Sequence, residues 1–384
     1  MTQYHTAQPP SLFRSFWMGG FESASQKLCG NERIDMVAVT QHDRQFAQDY
    51  ALLGKHGFRT ARESLRWYLI DRGGEYHLSS LTTLIEASQK AGVQMIWGLC
   101  HYGWPDDIDI FSPAFIDRFA RYSKAVAGCI ADASDEIPFY NPINEISFFA
   151  WAAAEAGFIY PCEHGRAHEL KVQLVRAAIA AIEAIWEVDS RARIVHVDPM
   201  IQVIAPAGRP DLMRHAFIHT QAQFQSWDML GGWELPELGG QPHYMDILGI
   251  NYYHDNQWEL ERERLSWEER LTSGDSRWLP LHMQLENVYT RYLRPLFVAE
   301  TSHFGSGRGA WIKMMAGEVA TARQRGVPVE GICIYPIIDR PDWHDWERWH
   351  NSGLWDLVPG AEDELRRVIN REYLEDLRLA QRLI

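Results

Sequence analysis

The sequence predicts an α/β protein, a single (β/α)8 TIM barrel over residues 1–384. Three observations predict it. Eight short apolar runs recur along the chain, amphipathic stretches separate them, and no Gly/Ser- or Pro-rich linker or low-complexity run divides the whole. Hydrophobicity in the runs is continuous rather than alternating, which suits parallel strands buried on both faces. The length fits one domain, since single barrels of this kind commonly run past about 250 residues.

In order, the predicted strands are Phe16–Phe21, Gly57–Ala61, Val93–Leu99, Ile137–Asn141, Arg193–Val197, Met245–Ile250, Pro295–Ala299 and Gly331–Tyr335. Helical spacing lies between them. In Phe115–Ala131 and His168–Val188 apolar residues return at three- and four-residue steps, the period of one helix face. The last segment, Ala361–Ile384, reads as a closing helix with Leu365, Val368, Ile369 and Leu377 on one side. A barrel places its site where strands end. The candidates are therefore Gly20–Ser23, Arg59–Arg66, His101–Asp106, Asn144–Glu145, His196–Asp198, Asn251–Tyr253, Glu300–His303 and Tyr335–Trp343.

Composition narrows the partner. With 37 Lys+Arg against 51 Asp+Glu the formal charge is −14, which argues against nucleic acid or an anionic membrane surface. The chain holds 16 Trp, whose indole faces stack on the apolar faces of sugars. A neutral saccharide or glycoside fits both facts, and homo-oligomerisation stays open. No basic segment followed by an apolar stretch marks the start as a secretory leader, and runs such as Val93–Cys100 fall far short of the ~20 residues that span a bilayer. The five cysteines, Cys29, Cys100, Cys129, Cys162 and Cys333, form no CxxC pair and are odd in number. They read as buried thiols in a reducing compartment, so a soluble, cytoplasmic protein is expected.

Two glutamates at predicted strand ends carry chemistry. Glu145 follows the fourth run and Glu300 the seventh, 155 positions later, yet barrel closure brings both over one central opening. Glycoside hydrolysis needs two facing carboxylates: one protonates the departing oxygen, the other attacks the anomeric carbon or activates water. The plainer role for a lone strand-end Glu is an ion pair with a neighbouring Arg; Asn144 beside Glu145 weighs against it.

Several stretches then resemble glycoside hydrolase family 1, the retaining β-glycosidases of the large (β/α)8 glycosidase clan. They are FWMGGFESASQ, GFRTARESLRW, HYGWP (His101–Pro105), NEISFFAWAAAEAGFIYP (Asn144–Pro161), MDILGINYY (Met245–Tyr253), PLFVAET (Pro295–Thr301) and YPIIDRPDW followed by NSGLWDL. They touch seven of the eight predicted strand ends in the family's order. The resemblance implies Glu145 as general acid/base and Glu300 as nucleophile, with Asn144 on the sugar 2-hydroxyl. It implies Arg59 beneath Glu300; Arg62 competes for that place and otherwise pairs with Glu63. Tyr253 would donate to Glu300, Asn251 support the site, and His101 bind sugar hydroxyls. Glu145 should carry the raised pKa and Glu300 stay ionised.

The chain also departs from the family. Tyr335 stands at the family's last-strand Trp, Asp342 at the acidic residue that grips the outer hydroxyls, and Ile146 after the Asn-Glu pair. The first-strand Gln corresponds to Gln26, although Glu22 is nearer the predicted strand end. Trp343 reads as a stacking wall, and His196 and Asp198 as an outer sugar contact or a loop hydrogen bond. The segment Asp339–His350 is rich in acids, His and Trp but lacks HxxEH or HExxH spacing; Gly19-Gly20 and Gly73-Gly74 make no GxGxxG fingerprint. The expectation is a glycosidase with no cofactor and no metal. The alternatives are a transglycosidase using the same two glutamates, a catalytically silent sugar-binding barrel and a metal-dependent hydrolase.

Overall fold

The computed structural model describes residues 12–260 and 270–384, so part of the amino-terminal stretch read for a leader lies outside the described residues. Eight parallel strands close into a barrel. They are β1 (Trp17–Gly20), β2 (Thr60–Ser64), β3 (Gln94–Cys100), β4 (Phe139–Ile143), β5 (Arg193–Pro199), β6 (Ile247–Asn251), β7 (Leu296–Thr301) and β8 (Val329–Ile334). Each pairs with its sequence neighbours, and β1 closes on β8 through Trp17–Ile332, Met18–Cys333 and Gly19–Ile334.

Around the barrel lie α1 (His42–Lys55), α2 (Ser79–Ala91), α3 (Pro113–Ala133), α4 (Ile146–Ala154), α5 (Ala167–Trp186), α6 (Met213–Gln221), α7 (Gln225–Leu230), α8 (Leu281–Tyr292), α9 (Gly307–Gln324) and α10 (Arg371–Gln381). Alternation along the strands makes two cores. Met18, Ile96, Phe139, Val195, Val197, Ile247, Phe297, Ala299 and Cys333 fill the barrel interior, where Phe13 packs 5.4 Å from the Phe139 ring and 5.1 Å from the Phe297 ring. A larger cluster that includes Leu53, Phe115, Leu174, Leu285, Ile312 and Leu377 lies between strands and helices.

Three expectations are corrected. The second strand begins three residues later than Gly57, at Thr60, which moves Arg62 and Glu63 from a loop into β2. Successive strand residues face opposite sides, so the expected Arg62–Glu63 pair does not form. Arg62 points into the barrel mouth, whereas Glu63 points outward and accepts from Tyr50 Oη at 2.8 Å, with His42 Nε2 also 2.8 Å away. Secondly, Ala361–Ile384 is not one helix. Residues Trp355–Pro359 (β9) and Leu365–Ile369 (β10) pair antiparallel, and only then does α10 start, its first turn capped by Asn370 Oδ1 accepting from Tyr373 N at 3.0 Å. Leu365, Val368 and Ile369 suit a helix face and a short strand equally, and pairing with β9 selects the strand. Thirdly, Cys29 and Cys162 form a disulfide with Cα atoms 5.8 Å apart across 133 positions, while Cys100, Cys129 and Cys333 are free. The fold brings together two cysteines that linear spacing keeps apart, and the argument for a reducing compartment loses its basis. Among the described residues no helix is long and apolar enough to cross a membrane.

Candidate active site

Glu300 lies near the end of β7 and is 4% exposed. The register of β7 shifts against both β6 and β8 between Val298 and the strand end. Such irregularities re-aim a side chain. Both carboxylate oxygens are held: Arg62 Nη1 donates to Oε1 at 2.7 Å and Tyr253 Oη to Oε2 at 2.9 Å. The same Nη1 donates to the Ala299 carbonyl at 2.9 Å, and Arg62 Nη2 donates to Asn144 Oδ1 at 2.7 Å. The arginine beneath Glu300 is therefore Arg62. Arg59, expected there, is exposed on the rim before β2, because the later strand start puts it outside the barrel.

Glu145 is the residue from which α4 departs, and its backbone is left-handed at φ 49°. A non-glycine residue there carries strain of about 1–3 kcal/mol. Three hydrogen bonds hold the turn: Asn144 N to Cys100 O at 2.9 Å, Glu145 N to Val197 O at 3.0 Å and Phe149 N to Glu145 O at 2.8 Å. The Glu145 carboxyl accepts from Asn251 Nδ2 at 2.8 Å and from the Tyr102 hydroxyl. Burial pushes its pKa up to about 8, the negative charge of Glu300 adds to the rise, and the Tyr102 and Asn251 hydrogen bonds oppose it. Glu145 is thus the carboxyl disposed to keep a proton, while cation and hydroxyl donors converge on Glu300.

The other predicted residues divide. Asn144 links the two glutamates' surroundings, its Nδ2 donating to Tyr102 Oη at 3.2 Å and lying 3.4 Å from His101 Nε2. His101 is buried and held neutral by that burial and by the nearby Arg62 and Arg340 charges. Its ring stacks 6.0 Å from Tyr335, whose hydroxyl lies 3.4 Å from His101 Nδ1. Asn251 supports Glu145 rather than Glu300. Trp343 is half-buried 6.0 Å from the Tyr102 ring, and Asp342 lies 3.1 Å from His350 Nε2. Gln26 is fully buried with both amide atoms unpartnered, as are the indole Nε1 of Trp343 and Nδ1 of His350.

His196 and Asp198 take the loop-bonding role. His196 Nε2 lies 2.9 Å from the Tyr244 carbonyl, and Asp198 accepts from Ser147 N at 3.0 Å, from Ser147 Oγ at 3.1 Å and from Ser226 Oγ. Asp198 thereby holds the first turn of α4, the helix that starts at Glu145. Sequence reasoning placed Tyr102 beside His101 among the strand-end candidates, and its bond to Glu145 was the part not foreseen. A cavity of about 930 Å³ lined by Met200, Val203, Phe217 and Phe224 lies elsewhere, and none of the predicted site residues lines it. Among the described residues no group of three or more His, Cys, Asp or Glu side chains is placed to hold a metal ion.

Fold and site together define a closed (β/α)8 barrel with one glutamate after its fourth strand and another at the end of its seventh. Solved structures share the barrel fold. A family 1 β-glucosidase from Thermotoga maritima superposes with a TM-score of 0.72 at 16% identity, over 90% of this chain and 87% of that one. The β-glucosidase from Thermotoga maritima in complex with glucoimidazole gives 0.75 at 15% identity, over 98% and 99%. The complex with castanospermine gives 0.74 at 16% identity, over 97% and 98%. At these identities the likeness is one of fold. No family model matches the chain, and no curated protein matches it.

Proposed function

We propose that this chain is a retaining β-glycosidase acting on small neutral saccharides or glycosides. One observation carries the reading: two buried glutamates, joined through Arg62 and Asn144, stand in opposite electrostatic settings, Glu145 raised to about 8 and Glu300 gripped by Arg62 and Tyr253. Separation of two carboxyls by environment is how one site supplies both an acid and an anion near neutral pH. The fold likeness to β-glucosidases agrees with it.

In this mechanism Glu145 gives its proton to the glycosidic oxygen as that bond to the anomeric carbon breaks. A Glu300 oxygen attacks the same carbon from the other face, forming a glycosyl ester. Glu145, now a carboxylate, takes a proton from water as the water oxygen displaces Glu300, so two inversions give net retention. Asn144 and His101 border the attacked carbon's surroundings and would bind sugar hydroxyls, with Tyr335 and Trp343 as aromatic walls. A panel of aryl β-glycosides tests the reading, followed by Glu300→Ala with added azide. Rescue that yields an α-glycosyl azide supports it; a folded protein inert to every β-linked donor overturns it.

A further inference from the structure

One ion pair in this site has no part in the mechanism above. Glu22 lies beyond β1 and is 6% exposed; Arg340 lies beyond β8, across the seam where the barrel closes. Arg340 Nε is 2.8 Å from Glu22 Oε2, but its N–H is out of line, so the contact is ionic without being a hydrogen bond. Nη1 donates to the Pro341 carbonyl at 3.0 Å, and Nη2 has no hydrogen-bond partner among the described residues. The guanidinium sits 5.6 Å from the Trp343 ring, and its side chain is 18% exposed. Glu22 Oε1 accepts from Ala24 N at 3.1 Å.

Ser23 N, next to Glu22, donates to Tyr335 Oη at 3.3 Å; the Tyr335 ring lies 5.3 Å from the guanidinium of Arg62, which holds Glu300, and Trp343, beside Arg340, lies 6.0 Å from the Tyr102 ring. The pair therefore belongs to the wall around the candidate nucleophile. A half-used guanidinium in such a wall has unspent donors, and the carboxylate beside it is a ready acceptor. A hydroxyl group is both acceptor and donor, so it satisfies both at once. A sugar acid is a poorer match, because Glu22 and Asp342 flank the single arginine and leave no net positive charge.

We propose that Arg340, held in place by Glu22, is a specificity-determining residue that reads one outer hydroxyl of a neutral glycone, on C3, C4 or C6. The assignment rests on the glycosidase reading. The test compares wild type, Arg340→Gln, Arg340→Lys and Glu22→Gln on a 4-nitrophenyl β-glycoside that wild type cleaves and on its 3-, 4- and 6-deoxy analogues, with thermal unfolding measured beside the kinetics. Arg340→Gln is expected to lower kcat/KM about 10- to 100-fold on the parent, the range for a lost hydrogen bond to a charged group. On one deoxy analogue the loss should shrink to under about threefold. Arg340→Lys keeps the charge without the fork and falls between.

Equal losses on the parent and every deoxy analogue overturn the assignment while leaving the glycosidase reading intact. So does a wild-type preference for the matching uronide that Arg340→Gln abolishes. Wild-type protein that cleaves no glycoside overturns both.

Discussion

The guanidinium of Arg62 spans the two halves of the candidate site, with Nη1 2.7 Å from Glu300 Oε1 and Nη2 2.7 Å from Asn144 Oδ1. A planar fork can hold two such partners at once, and an ammonium cannot match that geometry. Arg62→Lys is therefore expected to lower kcat on aryl β-glycosides by about 10²-fold, the scale for losing one well-placed donor. Arg59→Ala, at an exposed position, should leave kcat unchanged. Steady-state kinetics on the two variants reads the contrast, and a larger loss in Arg59→Ala would contradict it.

The pH profile follows from Glu145. An acid with its pKa near 8 is protonated below that value, so kcat/KM should fall as pH rises through about 8. Tyr102 hydrogen-bonds the charged form and lowers this pKa. Tyr102→Phe removes that support, so the basic limb should move to higher pH; a downward move would show that the hydroxyl acts otherwise.

Asp198 supports the turn at Glu145 from behind. Its hydrogen bonds to Ser147 and Ser226 fix the start of α4. Asp198→Ala should reduce stability by about 1–2 kcal/mol, as for loss of a helix cap. It should also slow glycosides with poor leaving groups more than activated ones, since proton donation suffers first. Chemical unfolding and a leaving-group series measure the two effects.

A buried charge cluster lies outside the barrel. His42 Nδ1 is 2.7 Å from Asp49 Oδ2 and Nε2 is 2.8 Å from Glu63 Oε2, while Arg367 of β10 donates to Asp49 Oδ1 at 2.7 Å. Burial alone disfavours the imidazolium, but the Glu63 charge and the Asp49 bond outweigh it and raise the pKa from 6.5 to about 9. A raised folded-state value gives stability that is complete below the unfolded pKa and is lost as pH rises through 9. The rise corresponds to about 3 kcal/mol at most. Unfolding free energy measured from pH 6 to 10 should show that decline, and in His42→Gln the decline should flatten.

The disulfide closes a long loop. Joining residues 133 positions apart is expected to stabilise the fold by about 5 kcal/mol through the unfolded chain's entropy. Adding a dithiol should lower the urea midpoint of wild type and leave that of a Cys29→Ser/Cys162→Ser double variant unchanged.

The barrel was legible because buried parallel strands leave uninterrupted apolar runs, and all eight runs contain or overlap a barrel strand. The two glutamates were legible because a strand end followed by a carboxyl is a local pattern. The choice of Arg62 over Arg59 was not, because the polar top of β2 looks like a loop until Thr60 is paired with Met18 and Gln94. Glu22–Arg340 and Cys29–Cys162 were invisible for another reason. Each joins residues more than a hundred positions apart, and no periodicity in one sequence reports such a contact.

The left-handed turn at Glu145 has a wider consequence. Its backbone N–H is taken by Val197, its helix by Asp198 and its carboxyl by Asn251, all from the second half of the chain. Glu300, in that second half, is gripped by Arg62 from the first. Neither half completes the surroundings of its own candidate glutamate. Severed between α5 and β5, the polypeptide should yield two inert pieces whose chemistry returns only when they reassemble.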